Sequence, residues 1–458
     1  MLFHTGAFVV FFAGYVVLHT ALPKRWRIAL IVIGGTLFYA WWNPRYVWLP
    51  HVLTIIAWSG ALWIDRGEDR AIRTRRLAIV VSGIFIPLVV FKYTNFIATS
   101  IIGPFVGGLD RQLNLAMPLG VSFVTFTLTA YVVDVAIRRA EVVMKWPTLA
   151  AFSLFFPHLI AGPILRPRDF FPQLSTFREI DWDRCRFGVA LFLVGLAKKL
   201  WIADPLGQFV DQVYAGGQVF NSLDYVVAIY GFSAQIYCDF SGYTDMALGI
   251  ATVIGVRMPR NFRSPYGAKS IVDFWRRWHI TLSTWLRDYV YISLGGNRQG
   301  PSRTSFNILI TIVLGGLWHG ANWTFVLWGL VHGFAVVLAH ASRRVRLPHW
   351  FGVALTFNFV TAAWIVFRAP DLQTAWRVAS GLIPESSISP SDLAGHHVFA
   401  LSLILLCLVL HRFDDHARIR WLAKKIGPTS IFSIVAVAAL WLIATSFGQS
   451  REFIYFEF

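Results

Sequence analysis

What most restricts the fold of this chain is a succession of apolar runs, each about as long as a bilayer is thick. A spanning helix needs about 20 predominantly apolar residues to cross a hydrocarbon core of roughly 30 Å. Runs of that kind lie near 6–23, 28–42, 46–64, 77–101, 115–137, 186–203, 223–256, 306–340, 350–367, 397–411 and 429–447. With 56% hydrophobic and 14% charged residues and a mean hydropathy of +0.57, the chain lies outside the balance of soluble domains. The reading is an all-α, multi-pass integral membrane protein with about 11 spanning helices, two or three of the runs being re-entrant or interfacial. The best re-entrant candidate is 148–173, which holds Pro157, Gly162, Pro163, Pro167 and Pro172, because broken backbone at membrane depth survives only where protein or water satisfies it.

A formal net charge of +17 suggests nucleic acid in a soluble protein, but here it sits in short stretches between apolar runs. Lys24-Arg25-Trp26-Arg27, the loop from Arg66 to Arg76, Arg343-Arg344-Val345-Arg346 and Arg418 to Lys425 read as cytoplasmic loops, since such loops carry an excess of Lys and Arg. That places the N-terminus outside and, if 429–447 spans, the C-terminus outside as well. The basic middle of the chain, 138–305, fixes no topology. Cys185, Cys238 and Cys407 form no CxxC pair and give no disulfide or zinc framework, so no metal is expected. The first run is too long, and too poor in preceding basic residues, for a cleaved signal peptide, and is kept as a mature span. Without repeats or low-complexity linkers, residues 1–458 read as one domain, with the polar segment 370–396 as an external loop.

Trp318-His319-Gly320-Ala321-Asn322-Trp323 places a titratable imidazole inside the apolar run Phe306 to Ala339. Side chains that can charge are costly in lipid and usually mark a transport path or a reaction centre. A second histidine, His279, precedes it in Asp273-Phe274-Trp275-Arg276-Arg277-Trp278-His279. Together they point to chemistry performed within a membrane. The region from Gln235 to Asn297 is dense in polar and aromatic groups, including Gln235-Ile236-Tyr237-Cys238-Asp239-Phe240-Ser241-Gly242-Tyr243-Thr244-Asp245 and Pro259-Arg260-Asn261-Phe262.

Those blocks, in that order, with Met117-Pro118-Leu119-Gly120-Val121-Ser122-Phe123, Ala161-Gly162-Pro163-Ile164 and Trp318-His319-Gly320, resemble the membrane-bound O-acyltransferase (MBOAT) family. More narrowly they are similar to its bacterial branch, which includes alginate O-acetyltransferase, the peptidoglycan and cellulose acetylation proteins and the teichoic acid D-alanylation protein. The resemblance runs from about Leu30 to the last residue. It implies an MBOAT-like helical fold around a central tunnel. It also implies that His319 matches the family's invariant histidine and His279 its second histidine, on the same tunnel wall.

Acyl transfer from a thioester to a hydroxyl requires removal of a proton from the attacking oxygen, and an imidazole with an unperturbed pKa of about 6.5 suits that near neutrality. His319 is assigned that role against the alternative of a hydrogen-bonded core histidine. His279 is assigned to positioning donor or acceptor, or to assisting proton transfer, an interfacial anchor being its other reading. Asn322 follows His319 by three residues, on the same face if one helix continues, so it is a candidate to orient the imidazole or to donate to an oxyanion; a polar interhelical contact is the alternative. Trp318, Trp278 and Arg276 are tunnel or support candidates. Asp239 and Asp245, six apart, do not share a helix face. One of them is expected to pair with an Arg of the Arg276-Arg277 or Arg257-Arg263 group; structural pairing is the default for both and a catalytic acid the minority reading, with Asp239 also a tunnel or support candidate. Ser241 lacks the Gly-x-Ser-x-Gly elbow of serine hydrolases.

The chain ends Phe453-Ile454-Tyr455-Phe456-Glu457-Phe458. Such a tail fits a passive aromatic belt at the membrane interface. It also resembles the C-terminal aromatic-Tyr motif of the bacterial branch, and by that analogy Tyr455 carries the acyl group on its phenol oxygen at the outer face.

The expected activity is O-acyl transfer, most simply of acetyl, from acetyl-CoA or an acyl-carrier thioester through a tunnel at His319 to an extracytoplasmic acceptor in polysaccharide O-acetylation, with no bound cofactor. A periplasmic or extracellular transferase is the expected partner, and the cell (inner) membrane the location. Arg260, Arg263, Lys269, Arg276 and Arg277 suit the phosphates of coenzyme A and those of membrane lipids equally. D-alanyl or other acyl transfer to a cell-wall polymer is one alternative. A proton-coupled transporter or flippase is another, and predicts paired broken helices in internal repeats.

Overall fold

A computed structural model describes residues 1–106, 113, 115–175, 181–342, 347–383, 391, 393–445 and 453–454. Among the described residues the regular structure is all helix. In chain order the α-helices are α1 (Gly6–Ala21), α2 (Arg27–Trp42), α3 (Trp48–Asp65), α4 (Arg70–Leu88), α5 (Thr94–Phe96), α6 (Val121–Ala136), α7 (Trp146–Ser153), α8 (Phe156–Leu159), α9 (Pro167–Ser175), α10 (Trp182–Ala197) and α11 (Asp204–Ala215). They continue with α12 (Ser222–Val253), α13 (Ile271–Trp275), α14 (Ile280–Leu286), α15 (Pro301–His319), α16 (Trp323–Ala341), α17 (His349–Arg368), α18 (Leu372–Ser380), α19 (His397–His411), α20 (His416–Lys425) and α21 (Pro428–Thr445). Among the described residues, Pro44–Asp65, Arg70–Ile102, Trp323–Ala341 and His349–Arg368 are long and apolar enough to cross a membrane, and α19 with α20, bent by 88°, makes a fifth such stretch if the pair is one broken span.

Three expectations change. The run 306–340 is two helices, not one: α15 stops at His319, Gly320 is extended, and Asn322 starts α16 as its N-cap, accepting from the Thr324 N–H. The segment 370–396 is not all loop, since Asp371 caps the amphipathic α18 by accepting from the Thr374 N–H at 2.7 Å. Of the basic stretches, Arg70 to Arg76 and Arg418 to Lys425 lie on helices, and Arg343 to Arg346 lie outside the described residues.

The helices form two compact units: Met1–Phe192, Met246–Pro259 and Ala423–Glu452 in the first, and Leu193–Asp245, Arg260–Leu422 and Phe453–Phe458 in the second. In the first, the proline-rich segment folds as the short helices α7, α8 and α9, and every residue from 149 to 167 is buried. Protein therefore covers its irregular backbone, as lipid exposure would not allow. Gly120 turns the chain into α6 at φ 70°, and a Cβ there would stand 2.5 Å from the Leu159 carbonyl oxygen. Left-handed backbone and close approach together require glycine at that point of the Met-Pro-Leu-Gly block.

The second unit is built on the hairpin of α15 and α16. A Cβ at Gly316 would collide with the Phe325 carbonyl oxygen, and one at Gly329 would stand 2.8 Å from the Val313 Cα. Small residues thus let the two backbones approach, the usual packing device of helices without a hydrophobic driving force between them. Trp278, Trp328 and Trp364 are among the largest fully buried side chains and pack on one another. A buried charge network accompanies them. Lys198 Nζ lies 2.6 Å from both Asp245 and Asp414, and Lys199 Nζ lies 2.9 Å from Asp204 and 2.8 Å from Asp239. Tyr237 donates to Asp414, and His416 meets Asp245 at 3.1 Å.

Candidate active site

Both histidines belong to the second unit and stand where helices end. His319 is the last residue of α15 and is 5% exposed. His279 is fully buried between α13 and α14, in left-handed backbone at φ 41°, ψ 54°. A residue with a side chain pays for that conformation by about 1–2 kcal/mol, so the fold around it must impose it.

Asn261 supplies the constraint. Its backbone oxygen accepts from the Ile280 N–H at 2.9 Å, and its side-chain Oδ1 accepts from the Thr281 N–H at 3.2 Å and the Thr281 hydroxyl at 2.9 Å. Asn261 thereby satisfies two of the first-turn donors of α14, which no residue of that helix can reach. The same Oδ1 meets His279 Nδ1 at 3.1 Å.

The imidazoles of His279 and His319 have ring centres 6.4 Å apart. Trp318 lies edge-on to both, at 5.9 Å and 5.1 Å. Trp328 at 5.4 Å and Phe367 at 5.2 Å wall His319, and Phe240 at 4.7 Å walls His279. The stretch carrying His279 lies between the apolar runs 223–256 and 306–340, and burial there pushes its pKa down to about 3. At neutral pH it is a neutral base with one donor and one acceptor nitrogen. Burial pushes the pKa of Asp273, at the start of the same block, upward, but the hydrogen bonds from Arg277 at 3.0 Å and from the Lys269 N–H at 3.2 Å, with the charges of both residues, together outweigh it and hold the carboxyl below its ordinary value.

The remaining predicted site residues divide. Trp278 is buried in the aromatic floor, against Phe262 at 5.1 Å, Phe274 at 5.6 Å and Trp364 at 5.2 Å. Asn322 does not share a helical face with His319, because the backbone breaks between them; its Nδ2 donates to the Pro370 carbonyl at 2.7 Å and its Oδ1 caps α16. Arg276 is exposed, as are Arg260, Arg263 and Lys269. Arg277 pairs with Asp273, and Arg260 with Asp415 at 3.2 Å.

Asp239 and Asp245 pair with lysines and not with the expected arginines. Asp239 also fastens the C-terminal tail, its Oδ2 accepting from the Ile454 N–H at 2.7 Å. Phe453 is buried beside it, stacked on Tyr243 at 4.7 Å and 5.7 Å from Phe240, the ring that walls His279. Tyr455 itself lies outside the described residues.

Three residues with a place here escaped the sequence reading. Lys199 was legible as an ionisable side chain inside the apolar run 186–203. Asn261 sits in a block already notable for its polarity, but nothing local shows that it reaches residues about twenty positions on. His332 is fully buried against Trp328 at 4.6 Å and Trp275 at 5.4 Å. Among the described residues, no three His, Cys, Asp or Glu side chains are grouped to hold a metal.

A model of the membrane-bound O-acyltransferase family matches residues 136–369, which contain both histidine blocks. A probable alginate O-acetylase of Azotobacter vinelandii is 36% identical over 426 residues, 89% of this chain and 83% of that protein. A peptidoglycan O-acetyltransferase of Helicobacter pylori is 33% identical over 436 residues, 86% of this chain and 82% of that one. A teichoic acid D-alanyltransferase of Bacillus subtilis is more distant, 28% identical over 275 residues, 56% of this chain and 69% of that protein. The transporter reading falls, for the chain belongs to the membrane-bound O-acyltransferase family and is a multi-pass membrane O-acyltransferase.

Proposed function

We propose that the chain moves an acetyl group from a cytoplasmic thioester, acetyl-CoA or an acyl-carrier thioester, to an extracytoplasmic acceptor in the O-acetylation of a polysaccharide. His319 is the residue that takes the proton. The acceptor hydroxyl oxygen bonds to the thioester carbonyl carbon as its proton passes to the His319 imidazole. The C–S bond then breaks, and the departing sulfur receives that proton. His279 assists the transfer.

The observation that carries this reading is the buried pair His279 and His319, ring centres 6.4 Å apart in an aromatic enclosure. Two relatives that span most of the chain are named for O-acetyl transfer to alginate and to peptidoglycan, which supports acetyl as the group and a polysaccharide as its destination. The fastening of Ile454 to Asp239, with Phe453 against the ring that walls His279, supports the tail as the first acceptor, with Tyr455 carrying the acetyl as a phenol ester. A periplasmic or extracellular transferase then completes delivery from the outer face of the inner membrane.

The test is peptide mass spectrometry of detergent-purified protein after incubation with isotopically labelled acetyl-CoA, beside His319→Ala. A labelled acetyl on Tyr455 that is lost in the variant is expected. Equal labelling of the two proteins removes His319 from the chemistry. A labelled partner substrate with unlabelled Tyr455 removes the relay.

A further inference from the structure

Asn261 holds more than a helix end. An amide side chain presents an oxygen that only accepts and a nitrogen that only donates, and at ordinary precision the two are told apart by their partners. Here the partners decide, because the Thr281 backbone N–H is a donor in every state and lies 3.2 Å from the atom in question. That atom is the oxygen. The His279 nitrogen at 3.1 Å from the same oxygen must then bring a hydrogen of its own. A neutral imidazole carries one hydrogen, so Nδ1 has it and Nε2 has a lone pair. Nε2 lies on the side of the ring away from Asn261, is buried, and has no hydrogen-bond partner among the described residues. A buried polar atom without a partner costs about 1–3 kcal/mol, and a catalytic role is one of the reasons a fold retains such an atom.

We propose that Asn261 is a positioning residue for acyl transfer, its side-chain oxygen fixing His279 as the tautomer protonated at Nδ1, so that Nε2 meets the reactants as a proton acceptor and not as a donor to the thioester carbonyl. This rests on the assignment of the histidine pair to acyl transfer and deepens it, for the opposite tautomer would make His279 an electrophilic group that polarises the carbonyl. With Nε2 as acceptor, the proton removed from the attacking oxygen at His319 has a second lone pair in the same enclosure over which to be shared. No further bond changes: the O–H bond breaks, and the proton ends on the sulfur freed from the C–S bond.

The choice of Asn over Asp belongs to the same device. A carboxylate would accept equally well from Nδ1 and Thr281, but its charge would make the ring more basic and widen the acidic range in which Nε2 is protonated and its lone pair lost. The groups around His279 leave that choice to residue 261. Among the described residues the titratable side chain facing it is His319; Phe240 and Trp318, the other rings against it there, carry no charge, and Asp239, beside Phe240 on α12, is engaged by Lys199.

Asn261→Asp is the decisive variant because it preserves shape and the acceptor that caps α14. It is expected to fold, and to move the acidic limb of the kcat profile upward by about one pH unit or more, the size of shift an adjacent carboxylate gives an imidazole. Asn261→Ala is expected to lower kcat about tenfold or more, as loss of an oriented proton acceptor does, with KM for acetyl-CoA little changed. Independently of turnover, the ¹⁵N spectrum of histidine-labelled protein, with His279 identified by its absence in His279→Gln, is expected to show protonation at Nδ1. A signal protonated at Nε2, or an Asn261→Asp profile superimposed on that of the parent, overturns the proposal. Failure of the parent to transfer acetyl at all would count against the acyl-donor assignment, while the nitrogen spectrum still decides the tautomer.

Discussion

Removing the charge of Asp239 should loosen the protein at its C-terminal tail before anything else. Asp239 is 2% exposed and Lys199 3% exposed, so the pair at 2.8 Å is desolvated. Breaking such a pair by deleting one partner costs about 3–5 kcal/mol, mostly because the survivor is left buried and uncompensated. Lys199 is not left so, since Asp204 remains at 2.9 Å, and the expected loss for Asp239→Asn is therefore smaller, about 2–3 kcal/mol. At roughly 2–4 °C per kcal/mol for a unit of this size, the melting temperature in detergent should fall by about 4–12 °C. Thiol-reactive dye reports it directly, because Cys238 and Cys407 are buried with their sulfurs 3.5 Å apart and react when the second unit opens. Asn keeps an oxygen for the Ile454 N–H and Ala does not, so Asp239→Ala should cost about 1 kcal/mol more and speed exchange of the Ile454 amide about fivefold further. If Asp239→Ala melts with the parent and its C-terminal peptide exchanges at the parental rate, the tail is not fastened by this carboxylate, and the structural support for Tyr455 as first acceptor is lost with it.

Asn322→Ala should destabilise the protein by about 0.5–2 kcal/mol, the usual cost of an N-cap, while acetyl transfer stays within about threefold of the parent; a loss of about a hundredfold would instead reinstate Asn322 as an oxyanion donor. The buried neutral His279 should make stability fall in mild acid. Its folded pKa, about 3, lies below the unfolded value of about 6.5, so the unfolded chain binds the proton first. This contribution is complete above about pH 6.5 and is lost, at up to about 1.4 kcal/mol per pH unit, as pH falls towards 3. His279→Gln should flatten that dependence, and a melting temperature with the same slope in both proteins would refute it.

Apolar run length made the all-helical membrane class legible, because lipid leaves the backbone no other choice, and two histidines in blocks of Trp and Arg marked the candidate site, because ionisable groups at that depth need partners. What escaped depends on distance along the chain. Asn261 reaches His279 across 18 positions, and Lys199 reaches Asp239 across 40, as the numbering itself shows. The break after His319 escaped for another reason. Gly320-Ala321-Asn322 is a glycine followed by an N-cap, a readable helix stop and start, but it sits inside an unbroken apolar stretch, and hydropathy outweighed the local signal.

That break carries a consequence for how an all-helical membrane protein places chemistry. A side chain in mid-helix faces lipid or a neighbouring helix, and two such residues meet only if whole helices pack in register. Residues at helix ends are freer to converge, and they also meet the field of the helix. His319 closes α15 and His279 opens α14, so the carbonyl end of one helix and the N–H end of another converge on the same enclosure. Moving the break would undo this arrangement without touching either histidine. Gly316 admits the Phe325 carbonyl and so fixes how the end of α15 lies against the start of α16, which makes the glycine packing of the hairpin part of the site it supports.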